Sequence, residues 1–423
     1  MHRLANYFLA LRKSVTLKLG NTNIIGLGII AIGAVLAVLI RLPFLDFKSA
    51  DYYNSIKPWY LAIRSLGFSV FGTDFSTYNP PYLYELYVIA RFFPDISNVL
   101  AIKIPSLIAD FFCAYFIYRI VKLKYPSRSL PLLAAFAVLF APSVVLNSAF
   151  WGQADALFTA PLIAAIYFLM TRRNTLACIA FGLSLAFKLQ AIFLAPLLLA
   201  LLLRRSISWR YFLIVPGILL LAVVPAWAAG RPVSELLNVY LYQTSQFEFI
   251  TMNAASIYAW LPGTKQVFNL FYLPGIMMGA TVAFMLCVII LKGPRQLTRP
   301  LLLEFALIAM LVVPFFLPKM HERYFYPADV LSIAFAFYFP QFFYIPILVG
   351  GVSFLSYQLF LFEAQPVPLP LLAFIMLIAI SILVQHAIRQ LYLPTENEIS
   401  SSESSYLDST NLQEPRNKAG HIG

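Results

Sequence analysis

Long apolar runs dominate this chain and constrain its fold more than any other feature. Stretches with few or no charges recur from residue 24 to residue 388, and a membrane-spanning helix needs roughly 20 such residues. Of the 423 residues, 61% are hydrophobic and only 11% are Asp, Glu, Lys or Arg, whereas soluble domains carry about 25% charged residues. A soluble fold of this length does not bury so much apolar surface, so the chain is predicted to be a polytopic integral membrane protein.

The apolar runs predict an all-α, polytopic transmembrane helical bundle of about 12 spans. The expected spans cover residues 24–44, 98–121, 130–147, 153–171, 211–229, 270–291, 300–317, 324–340, 342–362 and 369–388. The run 174–203 is too long for one helix and contains Lys188 and Gln190 near its middle. We therefore interpret it as a hairpin of two short spans whose tip reaches the opposite side of the membrane.

Basic residues give the bundle a predicted orientation. Every second gap between spans is rich in Lys and Arg, as at 119–128, 172–173, 204–210 and 292–299, and such gaps are typical of the cytoplasmic side. Both termini are then cytoplasmic, and the hairpin is needed to keep the alternation in phase. The net charge of +12 is explained by topology, and no nucleic acid partner is predicted.

The chain is predicted to divide into four parts. These are a basic cytoplasmic segment 1–23, a transmembrane core 24–340, C-terminal transmembrane helices 341–393 and a cytoplasmic tail 394–423. The tail is rich in Ser, Asn and Glu, which predicts disorder. Cys113, Cys178 and Cys287 lie inside apolar runs, so we expect buried thiols, with neither disulfides nor a metal site, and no cofactor.

The predicted outer face collects the unusual ionisable residues. The first outer segment, 45–97, is long and aromatic, contains Asp46 and Asp51, and is expected to form interfacial helices. Later outer gaps contribute Asp155, Lys188 at the hairpin tip, and the His-Glu-Arg run 321–323. Ionisable groups at membrane depth cost roughly 2.5–3.5 kcal/mol each, so they tend to persist where they face a functional cavity.

Each of these residues also has a structural explanation when it is taken alone. Asp46 and Asp51 can be solvated loop acids, Asp155 can cap a helix N-terminus, and Lys188 can extend to lipid head groups. Trp151 can be an interfacial anchor. One function uses them together: an extracytoplasmic sugar transferase with a lipid-linked donor needs a carboxylate base, cations for the leaving phosphate, and aromatic surfaces.

Five segments on this face carry a family resemblance. They are Asp51-Tyr52 followed by Pro58-Trp59-Tyr60; Tyr78-Asn79-Pro80-Pro81-Tyr82-Leu83-Tyr84; Trp151-Gly152-Gln153 with Asp155; Lys188-Leu189-Gln190 with Pro196; and Met320-His321-Glu322-Arg323-Tyr324. Through this ordered set, spread over residues 40–330, the chain resembles the GT-C superfamily of membrane glycosyltransferases. It is most similar to bacterial homologues of the eukaryotic enzyme that adds the second mannose to the GPI anchor. The resemblance implies a GT-C-like catalytic core at 24–340.

The resemblance also implies a role for each matching residue. Asp51 would be the general base of an inverting, direct-displacement transfer, with Asp46 as the competing candidate. Arg323 and His321 would meet the donor phosphate, Lys188 would add a second cation, and Glu322 would orient Arg323 or His321. The substrate pocket would include Asp46, Tyr52, Trp59, Tyr78, Asn79, Trp151, Gln153, Asp155, Gln190 and Tyr324.

The implied donor is a polyprenyl-phosphate sugar, with mannose inferred from the nearest likeness alone. The acceptor, whether a lipid, a glycan or a protein, stays open. The first outer segment has no Asp-x-Asp pair, so no metal is predicted. The bacterial likeness implies a plasma membrane location with the site facing the periplasm or exterior.

Other classes of protein remain as alternatives. A secondary transporter of a sugar or lipid-linked glycan could carry protons on Asp110, Glu304 and Asp329, which lie within spans, although no internal repeat supports this reading. We expect those three acids to be structural hydrogen-bond partners. A lipid-glycan polymerase or ligase would also bind lipid phosphates, but it is expected to place its main loop late in the chain. A structural scaffold would leave the outer acids and the His-Glu-Arg run unexplained.

Overall fold

The computed structural model describes residues 26–126, 129–245 and 248–393. Within these ranges the chain consists of helices and loops, with isolated β-bridges that link Met252 and Asn253 to His321. The predicted all-α fold is confirmed. The predicted cytoplasmic segment 1–23 and the predicted disordered tail 394–423 lie outside the described residues.

Sixteen helices are named here within the described ranges. In chain order they are α1 (Gly26–Phe44), α2 (Lys57–Leu66), α3 (Pro80–Phe92), α4 (Asn98–Lys122), α5 (Ser129–Phe140), α6 (Pro142–Trp151), α7 (Asp155–Met170), α8 (Asn174–Phe187), α9 (Leu189–Leu203), α10 (Trp209–Ala228), α11 (Val233–Ser245), α12 (Lys265–Lys292), α13 (Arg299–Phe316), α14 (Tyr326–Tyr338), α15 (Pro340–Phe362) and α16 (Leu369–Tyr392). The long first connection of the chain contains α2 and α3, as its composition predicted.

Seven of these helices are long and apolar enough to cross a membrane, within the part of the chain that the structure describes. They are α1, α4, α10, α12, α13, α15 and α16, and the bent pair α5 and α6 would supply an eighth span. Helices α7, α8 and α9 are apolar but shorter. The membrane class is therefore confirmed, while the count of 12 spans stays a prediction.

Two breaks in the helices bring polar residues into the bundle. Helices α5 and α6 meet at an angle of 47°, because Ala141 precedes Pro142 and is extended, with ψ of 126°. The run 174–203 is interrupted at Lys188, whose backbone is extended with φ of −150° and ψ of 140°. This interruption lies where the sequence predicted a hairpin tip.

Large apolar side chains point away from the bundle on the outer helices. Leu27 of α1, Met277 of α12 and Ile347 of α15 are 64%, 63% and 66% exposed. A surface of this kind is stable in hydrocarbon, where apolar groups carry no hydration cost. In contrast, every residue of α13 from Leu301 to Phe315 is buried, so it is a central helix of the fold.

A fully buried carboxylate connects four helices near the middle of the fold. Asp110 of α4 accepts hydrogen bonds from Arg41 of α1, with Nη2 at 2.9 Å from Oδ2. Ser148 of α6 donates to Oδ2 at 2.6 Å and Tyr326 of α14 donates to Oδ1 at 3.0 Å. The charge of Asp110 is thus paired and fully hydrogen-bonded, as buried charges require.

The other two acids inside the bundle also bind neighbouring helices. Glu304 Oε1 of α13 lies 2.6 Å from His386 Nδ1 of α16. Asp329 of α14 accepts a hydrogen bond from Ser353 of α15 at 2.7 Å. These acids therefore lie at helix–helix contacts, each with its own partner, and their structural role stays a prediction.

Candidate active site

A cavity of about 410 Å³ lies where the connection between α1 and α4 (the predicted first outer connection), the α8–α9 turn and the segment 317–324 meet. We call it the site cavity. Eight of the predicted site residues line it: Asp51, Trp59, Tyr78, Lys188, Gln190, His321, Arg323 and Tyr324. Residues from widely separated parts of the chain therefore share one cavity, although the sequence placed them only on one face of the membrane.

Asp51 is held at the cavity by the turn that follows α6. Trp151 Nε1 and Gln153 Nε2 both donate to Oδ2 of Asp51, at 3.0 and 2.6 Å. Gly152 lies between them with φ of +79°, and a Cβ there would be 3.2 Å from Lys103 Cγ, so this turn favours glycine. Both hydrogen bonds end on one oxygen, which leaves Oδ1 of Asp51 available to a substrate.

A buried ion pair forms the wall beside Asp51. Asp155, at the start of α7, is fully buried; Lys188 Nζ lies 2.6 Å from its Oδ1, and Asn147 Nδ2 donates to its Oδ2 at 2.9 Å. Arg323 Nε lies 3.9 Å from the same Oδ2. Burial is the largest single influence and would lower the pKa of Lys188, but attraction to Asp155 and Tyr78 and the hydrogen bond to Asp155 together outweigh it, and the pKa is raised. Lys188 is therefore a charged residue at the cavity.

Arg323 is the second cation of the site cavity. Its Nη1 lies 3.2 Å from Glu322 Oε1 and 3.4 Å from His321 Nδ1, and its guanidinium carbon lies 5.2 Å from the Trp151 ring centre, within cation–π range. Burial raises the pKa of Glu322 to about 7. Burial and the neighbouring Arg323 hold the pKa of His321 well below its usual value. At neutral pH, His321 is thus an uncharged hydrogen-bonding group beside a permanent cation.

Backbone pairing fixes the segment that carries these residues. Met252 N donates to Met320 O at 2.9 Å, Lys319 N to Ile250 O at 2.8 Å, and Glu322 N to Met252 O at 3.1 Å. Lys319 has φ of +63°, a left-handed conformation that is costly for a residue other than glycine and that clusters at functional sites. The loop after α11 therefore holds the His-Glu-Arg run in place.

Lys319 is a cation that the sequence interpretation missed. It lines the site cavity, and its ammonium lies 5.6 and 5.4 Å from the ring centres of Phe268 and Tyr272 on α12. Burial lowers its pKa. The sequence feature that could have identified Lys319 is its position next to the predicted run 320–324.

Apolar side chains also line the site cavity. Ile192 and Phe193 of the α8–α9 region and Ile276 of α12 line it. Ile192 and Ile276 are 42% and 37% exposed at the apolar outer surface. One cavity therefore has a carboxylate, three cations and partly exposed apolar side chains among its lining residues.

Comparison with known proteins identifies the family. The model of glycosyltransferase family 87 matches residues 77–318, which is more than half of the chain. The chain belongs to glycosyltransferase family 87. The match includes Asp155 and Lys188, whereas Asp51 and Arg323 lie outside it.

The fold of this family 87 glycosyltransferase is similar to that of a solved GT-C enzyme. ArnT from Cupriavidus metallidurans, solved bound to undecaprenyl phosphate, superimposes with a TM-score of 0.52, covering 92% of this chain and 81% of ArnT at 13% sequence identity. At that identity the likeness shows the fold, so the predicted GT-C-like fold is confirmed. No curated protein matches the chain. The likeness to mannose-transferring GPI enzymes stays a prediction.

The remaining predicted residues of the family 87 enzyme do not line the cavity. Trp151, Gln153, Asp155 and Glu322 lie behind its wall and contact Asp51, Lys188 or Arg323. Asn79 Nδ2 donates to the Phe187 carbonyl at 3.2 Å, and Tyr52 is buried against Tyr53. Asp46 is exposed and is not among the lining residues. The geometry therefore favours Asp51 over Asp46 as the carboxylate of this cavity.

Lys103 positions the segment before Asp51 and was also missed. It is a buried lysine of α4 whose Nζ donates to the carbonyls of Phe44, Leu45 and Phe47 at 2.9, 3.0 and 2.9 Å. These three bonds fix the chain as it leaves α1. The sequence signal was a lysine inside an apolar span, which has a high cost unless its donors are satisfied.

Two of the acidic residues around the cavity bind cationic side chains. Within residues 26–126, 129–245 and 248–393, no group of three or more His, Cys, Asp or Glu side chains is arranged to hold a metal ion. Asp155 contacts Lys188, and Glu322 contacts Arg323. Catalysis without a metal stays a prediction.

Proposed function

We propose that this family 87 enzyme transfers a hexose, namely mannose, from a polyprenyl-phosphate donor to an acceptor on the extracytoplasmic face, with inversion at the anomeric carbon. One observation carries the proposal. A single cavity has a carboxylate with an available oxygen, Asp51, beside the buried cations Lys188 and Arg323, and its lining includes the partly exposed apolar side chains Ile192 and Ile276.

Asp51 is proposed as the general base. Its Oδ2 accepts hydrogen bonds from Trp151 and Gln153, which orient the carboxylate, while Oδ1 can accept the proton of an acceptor hydroxyl. The acceptor oxygen then forms a bond to the anomeric carbon as the bond from that carbon to the phosphate oxygen breaks. The products are the protonated base, the new glycoside and free polyprenyl phosphate.

The leaving phosphate is proposed to bind Arg323 and Lys188. Arg323 presents a planar set of donors suited to phosphate oxygens, and Lys188 and Lys319 add point charges on the same cavity. His321 is neutral because of its lowered pKa, so its contribution is a hydrogen bond and not a charge. Fixed donors of this kind stabilise charge that develops as the phosphate leaves.

The polyprenyl chain is proposed to leave the cavity past Ile192 and Ile276. The charged groups and these apolar side chains line the same cavity, so a lipid phosphate fits without moving its tail into water. The binding of undecaprenyl phosphate by ArnT, a protein of similar fold, supports this donor class. The choice of mannose rests on the sequence resemblance, and the outward orientation rests on the distribution of basic residues.

The test is transfer of label from radiolabelled polyprenyl-phosphate mannose by the protein in lipid nanodiscs, with a membrane extract as the acceptor pool. We expect Asp51→Asn to fold and to lower kcat by about 10²–10⁴-fold, the usual contribution of a general base. Arg323→Ala is expected to raise the donor KM.

Asp46→Asn is the matched control, because it removes the same charge from the same loop at an exposed position. It is expected to keep wild-type activity. Loss of activity in Asp46→Asn together with full activity in Asp51→Asn would assign the base to Asp46. Consumption of glucose or arabinose donors in place of mannose would correct the sugar.

A further inference from the structure

A second cavity, with a different chemical character, adjoins the site cavity. It has a volume of about 370 Å³ and shares Trp59 and Thr77 with the site cavity. We call it the polar cavity. Its other walls include Asp74 and Ser76 of the first outer connection and Asn238 of α11. The two cavities therefore adjoin at Trp59 and Thr77, and Asp51 lines the site cavity.

An arginine between two carboxylates dominates the polar cavity. Arg231 is only 5% exposed; it forms an ion pair with Asp74, and its Nε lies 3.7 Å from Glu235. That Nε has no hydrogen-bond partner. The Asp74 and Glu235 side chains are 75% and 53% exposed, so the cavity is open to water. Its one cation and two carboxylates give a surplus of acceptors that opposes an anionic ligand.

We propose that the polar cavity binds the acceptor of the transfer reaction, and that this acceptor presents a neutral carbohydrate. Sugar hydroxyls both donate and accept hydrogen bonds, and Arg231, Asp74 and Asn238 supply partners of both kinds. Trp59 offers an aromatic surface for a sugar ring, and the volume lies within the range of small-molecule sites. This inference rests on the proposed function, because it gives the polar cavity the substrate that Asp51 activates.

The two cavities then divide the substrates by polarity. The apolar lining of the site cavity suits the polyprenyl chain of the donor, whereas the polar cavity offers no comparable apolar wall among the residues that line it. Because the cavities share Trp59 and Thr77 and Asp51 lines the site cavity, we infer that a hydroxyl of a sugar bound beside Trp59 reaches Asp51. The acceptor class that follows is the head group of a glycolipid or the end of a glycan, recognised through its sugar.

Binding is measured without catalysis, so that it is independent of the transfer assay. The protein in nanodiscs is titrated with methyl glycosides of mannose, glucose and galactose by saturation-transfer NMR. At least one is expected to bind the wild type, and Asn238→Trp, which fills the polar cavity from an exposed position, is expected to weaken that binding at least tenfold. Leu237→Trp is the matched control, because it is on the same helix and exposed but does not line the cavity.

Three outcomes would overturn the inference. They are absence of binding for all three glycosides, equal affinity in Asn238→Trp and wild type, and tighter binding of mannose 6-phosphate than of methyl mannoside. Failure of the proposed function has a different signature. In that case the glycosides bind as expected, while wild type and Asp51→Asn release equal amounts of label from the donor.

Discussion

The ion pair between Lys188 and Asp155 gives a quantitative test of the site. Lys188→Met keeps the length of the side chain and removes its charge, and Asp155→Asn does the same for the acid. Each single change leaves a charge in a place where water does not replace the lost partner, since the Asp155 side chain is 0% and the Lys188 side chain 11% exposed. The two changes together leave neither charge.

The structure sets the size of each effect. Breaking a buried ion pair from one side costs about 3–5 kcal/mol in the free energy of unfolding. Lys188→Met is expected to lower the free energy of unfolding by about 3 kcal/mol, because Asp155 keeps its hydrogen bond from Asn147 at 2.9 Å and has Arg323 Nε at 3.9 Å. Asp155→Asn is expected to lower it by about 4 kcal/mol, because this change leaves Lys188 with like-charged Arg323 as a neighbour.

The double variant is expected to be more stable than the sum of the single effects indicates. A coupling free energy of about 2–3 kcal/mol is expected, at the upper end for residues in direct contact. Its donor binding should still be lost, because Lys188 lines the site cavity. Stability would thus be partly restored without activity, which separates the structural role of the pair from its role at the cavity.

The assay is reversible unfolding in mixed micelles at increasing SDS, followed by tryptophan fluorescence. Lys265 and Glu248 provide the control cycle, since their atoms lie 2.7 Å apart, almost as close as in the buried pair, but their side chains are 69% and 61% exposed. We expect no resolvable coupling there. If the effects at Lys188 and Asp155 add to within about 0.5 kcal/mol, the reasoning from burial is refuted.

Two further predictions concern charge and position at the site. Because burial raises the pKa of Glu322 to about 7, Glu322 is protonated below that pH and ionised above it, where it competes with the donor phosphate for Arg323. The donor KM should therefore rise by about tenfold, or about 1.4 kcal/mol, as pH increases through 7. Steady-state kinetics of Glu322→Gln should lack this rise. If the pH dependence of KM is the same in Glu322→Gln and wild type, Glu322 is excluded as its source. Lys103→Met removes three hydrogen bonds from a charged donor, so we expect the free energy of unfolding in SDS to fall by about 3 kcal/mol. We also expect a reduced kcat, because the segment before Asp51 is no longer fixed. A wild-type kcat in the folded variant would contradict this.

The site residues that could be recognised in the sequence are charged side chains near membrane spans. Asp51, Lys188 and Arg323 stand out because charges near apolar spans are costly, and they share one cavity. Lys319 and Lys103 were passed over, although each has the same kind of signal. Their importance lies in the atoms that they contact, which composition does not reveal.

Asp46 and Asp51 show more clearly what the physical properties of the sequence leave undetermined. Both acids lie in the connection after α1, Asp46 in a turn and Asp51 in the helical segment that leads into α2, and their local sequence gives no physical reason to separate them. The family resemblance favoured Asp51, and the physical distinction comes from the turn after α6, where Trp151 and Gln153 donate to Asp51, whereas Asp46 is exposed. The polar cavity has the same origin, because it needs Arg231 from before α11 and Asp74 from the first outer connection.

The sequence by itself determined the membrane class, the helical fold and the positions of most helices. The physical reason is that these follow from local quantities: the length of apolar runs and the placement of Pro and charged residues. The tertiary structure alone decided which of the outer residues share a cavity, which carboxylate keeps an available oxygen, and where the charge of each cation is balanced. Those properties depend on distances between residues far apart in the chain, and helix packing sets those distances.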